Sequence, residues 1–185
     1  MGSYWLALKC LLALFTTKHF NPIAMSLIFD ENGCLTPSNA ILTTLDIFED
    51  VFVSKFIVSS TRKNIFENYK RYVVDFQKDI VGNFKQWVNG SFVTKKLTPN
   101  DIDLVTFIPF DIFEKKRKEL EARFIMGGAL KNYSVDAYAI KVYPQEHDLH
   151  FVTQHDVAEW RETFSKTKFN RVRKRYPKGF LELNF

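Results

Sequence analysis

The eight residues "DIDLVTFI", Asp101 to Ile108, constrain this chain more than any other stretch. They alternate strictly, the period of a half-buried strand, so Asp101, Asp103, Val105 and Phe107 share one face. Carboxylates on an otherwise apolar strand face cost free energy unless water or a cation meets them. Pro109 closes the run, and Asp111 with Glu114 offers a capping box for a helix over "IFEKKRKELEARF". The buried stripe of that helix would be Phe113, Leu120 and Phe124, and Gly127-Gly128 would terminate it.

Strands and helices continue to alternate on either side. "LTPSN" reads as a helix start, with Thr36 as cap, Pro37 in the first turn, and Ile41, Leu42, Leu45 and Phe48 on one face. A second helix is expected from near Thr61 to Gly82, with Ile65, Tyr69, Tyr72, Val73, Phe76 and Ile80 at helical spacing. Its aromatic residues suit a core rather than a base-stacking platform. "NFKQWV" is a short strand leading to Gly90-Ser91, and "YSVDAYAIKVY" is a third strand carrying Asp136 in its middle. A last helix, capped by Asp156 with Glu159, would bury Val157, Trp160 and Phe164, and "GFLELNF" would add an edge strand. The expected fold is α/β (α+β), a short mixed sheet packed against helices.

A length of 185 residues fits one domain, taken here as 25–185, and 19 phenylalanines can supply it with a large buried area. With 46% hydrophobic and 25% charged residues, the composition excludes a disordered tail. Cys10 and Cys34 lack metal-type spacing and make no disulfide framework, which fits a reducing cytoplasm. Residues 1–24 form an apolar extension, but the run from Tyr4 to Phe15 is broken by Lys9 and has neither a basic leader nor a cleavage site. It is too short to span a bilayer, so no membrane partner is expected. Two readings stand for it: a docking helix, or a non-native start ahead of Met25. The four histidines are scattered, and "HDLH" at 147–150 reads as a solvated loop.

Charge is uneven. Between Arg161 and Lys178 eight basic residues face Glu162 alone, a balance of +7 that leaves −2 on the rest of a chain whose net charge is +5. A basic element of this density points to an anionic partner, RNA or a triphosphate. Lys168, Arg171, Arg173, Lys174 and Arg175 are its candidate nucleic-acid contacts.

Asp101 and Asp103 emerge on one side of a strand, roughly 6–7 Å apart along it. That spacing suits carboxylates reaching around one or two hard cations such as Mg²⁺, which prefers oxygen ligands and keeps sites for water and phosphate. Asp136 supplies a third carboxylate if its strand lies alongside. Gly90 permits close approach of a phosphate to the backbone, and Ser91 adds a hydroxyl donor. Lys95 and Lys96 in the following loop could reach the β- and γ-phosphates or stay in solvent.

"GS", nine intervening residues, "DID", then the strand "VDAY" resembles the active-site signature of the DNA polymerase β-like nucleotidyltransferase superfamily, in particular its small bacterial members. The resemblance covers roughly positions 87–140. It implies a Mg²⁺-dependent enzyme (two ions, with Mn²⁺ as substitute) that moves an NMP group from an NTP, ATP among them, to a hydroxyl of RNA, a tRNA end or a partner protein. Asp101, Asp103 and Asp136 would then be the catalytic metal ligands, and Gly90, Ser91, Lys95 and Lys96 would bind the nucleotide. Proteins of this kind also resemble toxin–antitoxin components. The alternative is a catalytically silent nucleotide- or RNA-binding module, an antitoxin-like partner protein.

Overall fold

A computed structural model describes residues 27–185, and the apolar segment over 1–24, with Cys10 and His19, lies outside the described residues. A two-stranded antiparallel ribbon, β1 (Ile28–Phe29) and β2 (Leu35–Thr36), precedes β3 (Ala40–Leu42) and α1 (Leu45–Glu49), which runs on as a π-helical turn over Asp50–Ser54. There follow α2 (Arg62–Asp79), β4 (Lys85–Asn89), β5 (Asp103–Pro109) and α3 (Phe110–Glu119), the last extended by a π-helical turn at Leu120–Phe124. The chain ends with α4 (Met126–Tyr133), β6 (Asp136–Val142), α5 (His150–Phe164) and β7 (Phe180–Asn184).

The main sheet has the order β3-β7-β4-β5-β6. Strands β3 and β7 run parallel, as do β5 and β6, while β4 is antiparallel to both its neighbours. This is the mixed sheet of an α+β protein. Among the described residues no helix is long and apolar enough to cross a membrane.

Alternation along the strands splits the core between the two faces of the sheet. Val88, Leu104, Ala137, Leu181 and Leu183 face the helices, where Phe66, Tyr69, Tyr72 and Phe76 of α2 are buried together with Phe113, Leu120 and Phe124. Many of the phenylalanines meet here edge to face, such as Phe48 on Phe66 at 5.1 Å, the geometry that aromatic quadrupoles prefer. Trp87, Val105, Phe107, Ile140 and Phe180 point the other way, onto Phe164 and Trp160 of α5.

Several expectations change. "LTPSN" is not a helix start: Thr36 ends a strand, since a residue before proline is pushed to extended backbone, and Ala40–Leu42 pair with β7. The helix begins at Leu45, with Thr44 as its cap, its Oγ1 accepting from the Ile47 N–H. Helix α3 starts directly after Pro109, so Glu114 lies too deep to close a capping box and instead accepts from Arg117 and Lys141. Gly127-Gly128 does not end the helical segment but lies in α4. A Cβ on Gly128 would stand 2.7 Å from the Ala122 carbonyl carbon, so glycine permits the close turn.

Helix α5 begins at His150, ahead of the expected Asp156, because "HDLH" makes the turn that leads into it: His147 Nδ1 accepts from the Leu149 N–H and His150 Nδ1 lies 2.9 Å from the Tyr143 carbonyl. Finally, β7 is interior rather than an edge, hydrogen-bonded to β3 and β4.

Candidate acidic cleft

Asp103 is the first residue of β5 and Asp136 the first of β6, and the parallel register pairs them directly. On the other side of Asp103, the antiparallel register places Asn89, the last residue of β4. Asn89, Asp103 and Asp136 thus form one row across three strands, and alternation puts all three on the face covered by α5. Asp101 lies in the irregular stretch just before β5, not within the strand as its alternation suggested, and still lines the same cleft.

The row is open because β4 ends there. Gly90 turns the chain away with φ +81°, a conformation suited to glycine, and a Cβ on it would overlap the Asp103 carboxylate, lying 2.8 Å from Asp103 Cγ. The resulting cleft has a volume of about 630 Å³. Its floor holds the three aspartates, with Gly90 and Ser91 to one side, and Lys96, Lys168, Arg175 and Lys178 stand around it.

Burial, and after it the neighbouring Asp101 carboxylate, raise the Asp103 pKa, with Asp136 adding to the effect and Lys168 and Lys178 opposing it. Burial and then Asp136 raise the Tyr138 phenol beside them. Lys178 is buried, donates to the Gly90 carbonyl at 3.0 Å, and is pushed down to about 8 by desolvation.

Two residues outside the sequence reading complete the site. The Asn89 amide nitrogen donates to the Phe164 carbonyl at 3.2 Å. A carbonyl can accept only from that nitrogen, which turns Oδ1 away from it, and Oδ1 is buried without a hydrogen-bond partner. The only sequence signal was a polar residue at the end of an apolar strand, in "WVNGS". Arg62 is the second. It is 1% exposed, and its guanidinium donates to the carbonyls of Phe52, Phe92, Thr94 and Lys96, three of them in the loop that follows Gly90-Ser91.

The two loop lysines part company. Lys96 lines the cleft, whereas the Lys95 ammonium stands 5.4 Å from the Phe29 ring, beside a separate pocket with Val51 and Phe56. Of the five basic residues expected to contact nucleic acid, Lys168 and Arg175 reach the cleft, while Arg171, Arg173 and Lys174 lie outside its lining on an exposed turn. Among the described residues, the one triad of His, Cys, Asp or Glu with ligand atoms all within 4.8 Å is His155, Asp156 and Glu159, on one turn of α5 with His155 and Glu159 exposed. The three cleft aspartates do not draw that close together.

Fold and site together define a mixed α+β protein with an acidic cleft at the strand ends of its sheet. Residues 27–184 match the family described as "Family of unknown function (DUF6932)", and the chain belongs to that family. No curated protein and no solved structure matches it.

Proposed function

We propose that the chain is a nucleotidyltransferase, of the kind its sequence resembles, moving an NMP group from an NTP to a hydroxyl acceptor. One observation carries the reading: Asp103 and Asp136 stand in register on adjacent strands, with Asp101 two residues upstream and Gly90 packed against them without a side chain. The donor set fits a hard divalent cation, since three carboxylates and the unpartnered Asn89 Oδ1 offer oxygen alone. Mg²⁺, or Mn²⁺, held by Asp101, Asp103 and Asp136 would neutralise charge on the triphosphate and on the oxygens of an in-line displacement.

The chain's own residues supply the rest. Gly90 and Ser91 bring main-chain N–H groups and a hydroxyl to the phosphates, and Lys96, Lys168 and Arg175 approach from the rim. Asp136, beside Tyr138, takes the proton of the acceptor hydroxyl, whose oxygen forms the new bond to the α-phosphorus. The bond from that phosphorus to the bridging oxygen breaks, and pyrophosphate leaves with the electron pair. Positioning and charge neutralisation are the protein's contribution.

The test is incubation with each α-labelled NTP, Mg²⁺ and total cellular RNA or lysate, beside Asp101→Asn/Asp103→Asn. Label entering a macromolecule with the wild type alone supports the reading, and the labelled species identifies the acceptor. If the wild type binds Mg²⁺-NTP but transfers nothing, the chain is a nucleotide-binding module. No binding of Mg²⁺ or NTP refutes both.

A further inference from the structure

The segment after α5 folds into a finger over residues 166–177. Its two sides are joined at Lys166 and Pro177, and the Thr167 N–H donates to the Tyr176 carbonyl at 2.9 Å. The tip is a built turn: Asn170 Oδ1 accepts from the N–H groups of Val172 and Lys174 at 3.0 and 2.9 Å, and Arg173 takes φ +57°. Arg175 fastens the base, its Nε donating to the Thr167 carbonyl at 2.9 Å and its guanidinium lying 5.3 Å from the Phe169 ring.

Three features of this finger have no explanation in the fold. It carries six basic residues and no acid, and only Lys166 has a carboxylate partner among the described residues, Glu162. Phe169 and Val172 are both 69% exposed at its far end, an apolar pair set among cations, with the Arg175 guanidinium beside the Phe169 ring. The cations also divide by position, with Lys166, Lys168 and Arg175 lining the cleft and Arg171, Arg173 and Lys174 beyond it on the turn. A partner using all three features is a polyanion with flat apolar groups, long enough to run from the tip to the cleft.

We infer that the finger over residues 166–177 docks a single-stranded nucleic acid, with its phosphates on Arg171, Arg173 and Lys174, a base stacked on Phe169, and its end directed past Lys168 and Arg175 into the acidic cleft. Backbone charge neutralisation and stacking on an aromatic ring are how single strands are held without sequence readout. An acidic protein would satisfy the charges but leave the Phe169 ring in water. The direction of the strand end, which makes its hydroxyl the acceptor, rests on the nucleotidyltransferase reading; the docking itself does not.

The experiment is fluorescence anisotropy of labelled 20-mer RNA and DNA of one sequence, titrated with the full chain at several salt concentrations. Wild type, Phe169→Ala and the triple Arg171→Ala/Arg173→Ala/Lys174→Ala are compared, with circular dichroism confirming that each folds. The wild type is expected to bind RNA, DNA or both, and the two arms tell which. The triple variant should lower the slope of log K against log salt by about 2, at about 0.7 per phosphate contact on a single strand. Phe169→Ala should weaken binding about tenfold with the slope unchanged, the signature of a lost stacking contact. If the wild type binds the strand in this way but transfers no label from any NTP, docking stands and the transfer reading fails. Absence of binding to both strands, wild-type binding by the triple variant and Phe169→Ala, or equal binding of polyglutamate would overturn the inference.

Discussion

Arg62 offers the sharpest test of how the cleft is held. It lies in the first turn of α2, where the helix macrodipole disfavours a cation, and no acid balances it there. Burial pushes its guanidinium down to about 10, so the fold gives up solvation to keep it charged. Four carbonyls offset that cost. Replacing Arg62 by Met removes the charge but leaves those carbonyls without donors. Water can reach Thr94 and Lys96, whereas the bonds to Phe52 and Phe92 are buried. Two buried unsatisfied carbonyls at about 1–3 kcal/mol each give a loss of about 4 kcal/mol. For a domain of this size that lowers Tm by about 10 °C. Arg62→Lys keeps the charge but concentrates its donors on one nitrogen, so it should recover only part of the loss. Urea denaturation measures the stability, and amide exchange at Lys95 and Lys96 reports whether the loop loosens before the sheet does. A Met variant within 1 kcal/mol of wild type, or a Lys variant equal to it, would refute the argument.

Three further outcomes are expected. Gly90→Ala should cost about 1–2 kcal/mol from its left-handed backbone alone, and because the new Cβ collides with Asp103, it should also abolish any rise in Tm with Mg²⁺, while Ser91→Ala retains that rise. Asp101→Asn/Asp103→Asn should be more stable than wild type in EDTA, since burial and Asp101 already raise the Asp103 pKa, yet gain nothing from Mg²⁺; at 100 times Kd the wild type should gain about 2.7 kcal/mol. For Lys178, folded at about 8 and unfolded near 10.5, only the unfolded chain keeps the proton between those values. Stability should therefore rise with pH across that window, by at most about 1.4 kcal/mol per unit, and Lys178→Met should lack the rise in urea titrations at pH 7.5 and 10. Parallel pH curves for the two proteins would show that burial does not depress the lysine.

Much of the site was legible because it rests on short-range pattern. Alternation in "DIDLVTFI" and "VDAY" placed Asp103 and Asp136 on strand faces, though it put Asp101 within the strand when it lies just before it, and glycine before Ser91 marked the turn beside them. Register is another matter. That Asp103 pairs with Asp136 and Asn89 depends on which strands are neighbours, and this is set by packing over long separations in the chain. The same holds for Lys95 and Lys96. Adjacent in sequence, they are separated because the Lys95 N–H is tied to the Gly33 carbonyl while Arg62 grips the Lys96 carbonyl. Charge announced the basic finger, but its shape depends on the Asn170 side chain capping a turn, which competes invisibly with helix continuation. β7 was open to a better reading: Phe180, Leu181 and Leu183 occupy both faces, the pattern of a strand covered on two sides.

The placement of the cleft explains why it needs the finger. Ligands of open α/β sheets usually gather at the carboxyl ends of parallel strands, near helix N-termini that favour anions. Here Asp103 and Asp136 stand at the amino ends of β5 and β6, and α5 brings its C-terminal end to the row, with the Phe164 carbonyl on Asn89. A helix C-terminus and three carboxylates make the floor electronegative, good for a cation and hostile to a triphosphate or a nucleic-acid backbone. Positive charge must then come from side chains, and the chain supplies it directly after that helix end. Lys168, Arg175 and Lys178 all follow Phe164 within the same excursion and return to the cleft. On the proposed reading, floor and rim divide the work, one holding metal and the other phosphate. The segment between α5 and β7 is then as much a part of the site as the aspartates.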